Sequence, residues 1–146
     1  MIASQFIEEL RSIQHLYAWK FQSDGNWPRN RRWRPRLRIR ASLDESADSP
    51  VLDPIGVVCF AKTGRLFNAE SWIQAADAIE LSLIDAADIT AAANDRTWKA
   101  EGDGRVMDPY LVSLRKRLMD SVGLEDHEDR ARLDLLRPLK RWLSAI

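Results

Sequence analysis

The sequence predicts an α+β fold that is mostly α, with an N-terminal helix and a small antiparallel β-hairpin packed on a bundle of about four to five helices. Three observations predict it. Apolar residues recur at spacings of three and four over residues 2–15 and over most of residues 53–146. Between these stretches, "YAWKFQ" and "RPRLRIRA" alternate with a period of two, as strands do. Helix-start and helix-stop residues punctuate the chain at Asp53-Pro54, Gly64, Asp108-Pro109 and Gly123.

Taken in order, residues 2–15 place Ile2, Phe6, Leu10 and Ile13 on one helical stripe, widened by Ile7 and Leu16. Tyr17, Trp19 and Phe21 then share one face of a strand. Asp24-Gly25 supplies a turn signal, and a strand from about Arg36 to Ala41 returns with Leu37 and Ile39 on its apolar face. Arg36, Arg38 and Arg40 fall on the opposite face as an outward row. The stretch from Ala41 to Leu52 is polar and acidic and predicts a surface connector.

Asp53 caps a helix over "PIGVVCFAKTG" that Gly64 stops, and Cys59 in its apolar middle is expected to be a buried core residue. Asn68 caps the next helix, with Trp72, Ile73, Ala76 and Ile79 on one face. Ser82 with Asp85 resembles a capping box at the start of an alanine-rich helix. Asp95 to Asp108, with Gly102 and Gly104 around Asp103, predicts a loop. Asp108-Pro109 opens a helix with the stripe Leu111, Leu114, Leu118 and Val122, and the charge run Arg115, Lys116 and Arg117 predicts a solvated face. In the last helix Leu133, Leu136, Leu139, Trp142, Leu143 and Ile146 keep helical spacing around Pro138, which should kink or split it. That helix either completes the core, the preferred expectation, or forms a homodimer through Leu139, Trp142 and Leu143.

A chain of 146 residues predicts one domain, 1–146, made of a helix plus arginine-rich hairpin (1–43) and a helical part (53–146). With 45% apolar and 30% charged residues, it falls among folded globular chains rather than disordered ones. No signal peptide or membrane span is expected, and a single cysteine points to a reducing, cytoplasmic compartment without disulfides.

Charge is segregated. Net charge is zero, yet residues 1–43 hold nine basic and three acidic side chains, residues 44–104 four and twelve, and residues 105–146 nine and seven. The segment "NWPRNRRWRPRLRIR", Asn26 to Arg40, holds seven arginines and two tryptophans without an acid. Such a stretch suits an acidic protein surface, where arginine gives bidentate contacts and tryptophan anchors. It also suits nucleic acid, with arginines on phosphates and tryptophan stacked on bases. The expected contact residues are Trp27, Arg29, Arg31, Arg32, Trp33, Arg34, Arg36, Arg38 and Arg40. The competing account has these arginines paired within the chain to Asp44, Glu45, Asp48 and Asp53.

Chemistry is poorly represented. His15, His127 and Cys59 have no zinc spacing, the glycine loop at 102–104 lacks the EF-hand ligand pattern, and no phosphate loop or nucleophile elbow occurs. Acid pairs one helical turn apart, such as Asp85 with Asp88, are surface residues by default. The expected function is therefore a small non-catalytic interaction module that docks an acidic protein partner, without metal or cofactor. Nucleic-acid binding by the same stretch is the alternative, and an unrecognised enzyme the third. Overall neutrality favours the protein partner, since duplex binders are usually net basic domains.

Overall fold

Phe6 and Leu10 lie one turn apart on the first helix, and both are fully buried. They set the centre of the core. The structure is a computed structural model that describes residues 1–23, 35–102 and 104–144. Helix α1 (Ala3–Ile13) buries Ala3, Phe6, Ile7 and Leu10, and a short 3-10 turn (Gln14–Leu16) leads into the first strand. Ile13 is half-buried, whereas Ile2 and Leu16, at the ends of the predicted stripe, are exposed.

Strands β1 (Ala18–Ser23), β2 (Leu37–Ser42) and β3 (Val51–Leu52) form an antiparallel sheet in that order. β1 and β2 pair from Ala18↔Ser42 to Ser23↔Leu37, one residue further along the chain than the alternation places them. β3 corrects the reading of 41–52 as pure connector: Ala41 pairs with Leu52 and Ser42 with Val51. Two residues are too few to show a period. The inner face of the sheet sends Ile39 into the main core and Ala41 with Leu52 into a smaller cluster around Val57.

α2 (Pro54–Thr63) starts as expected, with the Asp53 side chain accepting from Gly56 N at 3.0 Å, and stops at Gly64, whose φ of 75° is left-handed. Cys59 is buried, with its Sγ 3.6 Å from Thr63 Oγ1. Asn68 caps a 3-10 turn (Ala69–Ser71) that runs into α3 (Trp72–Ala78). Ala75, Ala76 and Ile79 are buried there, while Ile73 is exposed, so the buried stripe is rotated from the predicted one.

α4 (Leu83–Ala93) packs closely through Ala86, Ile89, Ala92 and Ala93. Its predicted capping box is absent, since the Ser82 side chain makes no cap bond. Asp85 instead accepts from Ala3 N at 3.1 Å and so caps α1 from across the fold.

Residues 95–108 are more ordered than a loop. β4 (Trp98–Glu101) and β5 (Gly104–Met107) form a second antiparallel hairpin. α5 (Pro109–Ser121) begins under Asp108, which accepts from Tyr110 N and Leu111 N, and buries Leu114, Arg115, Leu118 and Met119. α6 (Glu128–Ser144) is one helix through Pro138 rather than two. The side chains of Leu139, Trp142 and Leu143, on which the homodimer expectation rests, lie outside the described residues. Six α-helices and two small antiparallel sheets among the described residues place the protein in the mostly α class of α+β folds.

Candidate functional site

The arginine-rich strand β2 is held at one edge by arginines and acids from far along the chain. Beyond Ala41, where β3 stops pairing, the outward backbone groups of β2 would be left without partners. Leu37 N donates to Asp95 Oδ2 at 3.2 Å, and Leu37 O accepts from Arg115 Nη2 at 2.6 Å. Ile39 O accepts from Arg40 Nη1 at 3.0 Å, and Pro35 O accepts from Arg132 Nη1. Guanidinium groups thus meet the carbonyls of residues 35, 37 and 39 where a neighbouring strand would otherwise lie.

Behind that edge is a buried ion cluster. Arg115 and Arg132 are only 4% and 7% exposed, and Asp95 is buried between them. Arg132 Nη2 lies 2.8 Å from Asp95 Oδ2 and 2.7 Å from Glu128 Oε1. Arg115 donates to Glu128 Oε1 from Nε at 2.9 Å and from Nη2 at 2.6 Å, and its Nη1 donates to Ala92 O at 2.8 Å. Because that Nε–H goes to Glu128, Asp95 Oδ1 is left with a 3.5 Å ionic contact to Arg115 and no hydrogen bond. Two cations and two anions balance, as buried charges must.

This corrects the reading of Arg115 as part of a solvated run. Position 115 is four residues after Leu111 and three before Leu118, so helical spacing already placed it on the apolar stripe. The signal was present in the sequence, hidden by the residue's charge.

The arginine row itself divides. Arg36 is exposed and Arg38 half-buried, while Arg40 is 5% exposed. Strand alternation does put Arg38 and Arg40 on one face, beside Gln22 and Lys20 of β1. Arg40, however, is covered by the end of α4, where Asn94 Oδ1 accepts from its Nη2 at 2.7 Å. Burial lowers its proton affinity, partly offset by the nearby Asp53. Arg40 is thus an internal residue and not part of an outward row. Trp27, Arg29, Arg31, Arg32, Trp33 and Arg34 lie outside the described residues.

Among the described residues, neither Arg36 nor Arg38 has an acid within ion-pair distance, and neither do Asp44, Glu45 and Asp48 have a base. Asp44 instead accepts from Ser46 N at 2.8 Å within its own turn. Asp53, another acid of the competing account, feels the charge of Arg40.

Acid pairs offer little chemistry. Asp85 is occupied as the cap of α1. Partial burial, then Asp85 and Asp108, pushes the Asp88 carboxyl up, and burial with Asp88 and Asp85 does the same to the Tyr110 phenol. No described group of three His, Cys, Asp or Glu residues is placed to hold a metal ion. The groove along α1, lined by Ser4, Gln5, Glu8, Glu9, Ser12 and Arg117, is open, and the Ser12 hydroxyl there donates to the Glu9 carbonyl at 2.7 Å. No described helix is long and apolar enough to cross a membrane. No protein-family model, no curated protein and no solved structure matches this chain.

Proposed function

We propose that the protein is a small non-catalytic interaction module whose arginine- and tryptophan-rich segment, residues 26–40, docks an acidic surface of a partner protein. One observation carries this reading. Arg36 and Arg38 keep their charge toward solvent without an acid from the described residues, while the chain places other arginines in tight internal pairs. Arg40, Arg115 and Arg132 then act as the support of the surface rather than as contacts. Arg36 and Arg38 are partner-contacting residues, with Trp27, Arg29, Arg31, Arg32, Trp33 and Arg34 assigned to the same role from the sequence.

Nucleic acid is the second reading, and the burial of Arg40 weighs against it. A row of three guanidinium groups at alternate strand positions would have matched the spacing of successive phosphates. Only two of the three face outward. A fluorescence-anisotropy comparison of labelled polyglutamate with labelled single- and double-stranded oligonucleotides, across a salt series, tests the assignment. The reading predicts salt-sensitive binding of polyglutamate that exceeds binding of either oligonucleotide. The reverse order would move the segment to a nucleic-acid site.

A further inference from the structure

Among the described residues β1 is the last strand of its sheet, and its register with β2 decides which of its backbone groups face outward. Leu37 bonds Asp95 and Arg115 through its main chain, and Leu43 N donates to Pro50 O at 3.3 Å. The odd-numbered residues of β2 therefore point away from β1, and the even-numbered ones make the ladder. Through Ala18↔Ser42, Lys20↔Arg40 and Gln22↔Arg38, the backbone of Ala18, Lys20 and Gln22 faces β2. That of Trp19, Phe21 and Ser23 faces outward, and among the described residues no strand or backbone bond reaches it.

An unpaired edge is a template for one more strand, and the flanking side chains select which. On the solvent side stand exposed Lys20 and half-buried Arg38, with exposed Arg36 beyond. On the core side Trp19 and Phe21 are only half-buried. A second copy pairing through its own β1 would offer Lys20 no acid to face, since Ala18–Ser23 carries none.

We infer that the outward edge of β1 takes up an extended acidic segment of the partner as an added strand, with its acids beside Lys20 and its apolar residues beside Trp19 and Phe21. This rests on the reading of an acidic protein partner and specifies how it is held.

Amide hydrogen exchange on the full chain tests it, alone and with a capped peptide of about eight residues alternating Glu and Val. In the free protein, Trp19 and Phe21 amides should exchange at least about tenfold faster than those of Lys20 and Gln22. Saturating peptide should slow Trp19 and Phe21 at least about tenfold, and N-methylation of the peptide on its pairing edge should abolish binding. Trp19 and Phe21 amides protected before peptide is added would overturn the inference, and light scattering would tell whether a second copy covers the edge. Undiminished binding of the N-methylated peptide, still lost in the Arg36→Gln/Arg38→Gln variant, would overturn strand addition and leave the acidic partner standing. No response to the peptide overturns strand addition as well, and if polyglutamate also fails to bind, the acidic-partner reading falls with it.

Discussion

The Asp95 carboxylate lies 2.8 Å from the Arg132 guanidinium, and Asp95 holds a left-handed backbone, φ 58°, to place it there. Arg96 N donates to Ala91 O at 2.8 Å just beyond, so Asp95 occupies the helix-terminating position where glycine is usual. An aspartate there carries strain of about 1 kcal/mol or more. The chain tolerates it because this carboxylate faces two buried guanidinium groups and the Leu37 amide.

Asp95→Asn keeps a side chain suited to that backbone and removes the charge, leaving Glu128 alone to balance two buried arginines. Stability should fall by about 3 kcal/mol, the usual cost of breaking a buried pair from one side. Urea denaturation measures it. A loss below about 1 kcal/mol would mean the cluster is solvated and does not brace β2.

Arg40 and its strand neighbours should separate in the same assay. Arg40→Gln loses bonds to Asn94 and to the Ile39 carbonyl in a buried setting and should cost about 1 to 3 kcal/mol. Arg36→Gln and Arg38→Gln should each stay within about 0.5 kcal/mol of the parent. Equal losses at all three positions would return Arg36 and Arg38 to internal pairing.

Gly56→Ala reverses an ordinary preference. Alanine favours a helix interior over glycine by about 1 kcal/mol, yet a Cβ at position 56 would sit 2.9 Å from Asp53 Oδ1 and 3.4 Å from Leu52 Cβ. The variant should lose about 1 to 3 kcal/mol, because the capping carboxylate must move. A rise in melting temperature would show that Asp53 shifts freely.

Asp53 also gives a pH dependence. Burial pushes its carboxyl above the ordinary aspartate value, against the Gly56 hydrogen bond and Arg40, which pull it down. The folded protein therefore takes up this proton at a higher pH than the unfolded chain. Its contribution to stability falls as pH rises from the unfolded value of 3.8 through the raised folded one, and is level below 3.8. Asp53→Asn keeps a capping oxygen and lacks this window, so its melting temperature should gain on the parent as pH rises above 3.8. A constant difference across that range would contradict the shift.

Local signals were legible where one residue type determines the backbone. Asp53-Pro54, Gly64 and Asp108-Pro109 mark the helix ends they predict, and the alternation of "YAWKFQ" and "RPRLRIRA" gives the hairpin within one residue. Contacts made by distant elements were not legible. Asn94 reaches Arg40 across 54 positions, and Asp85 caps α1 across 82. β3 is too short for a period, and the charge of Arg115 obscured its place on the apolar stripe. Of the candidate site, the support was missed by sequence reasoning, while the outward positions of Arg36 and Arg38 follow from strand parity.

We propose that Arg36 and Arg38 contact an acidic protein surface while Arg40 only supports it. Titration of labelled polyglutamate with the parent and with Arg36→Gln/Arg38→Gln, each melted in parallel, tests it most directly. The variant should bind at least about tenfold more weakly and with less salt dependence, at an unchanged melting temperature. Unchanged binding, or a collapse of stability in the variant, would contradict it.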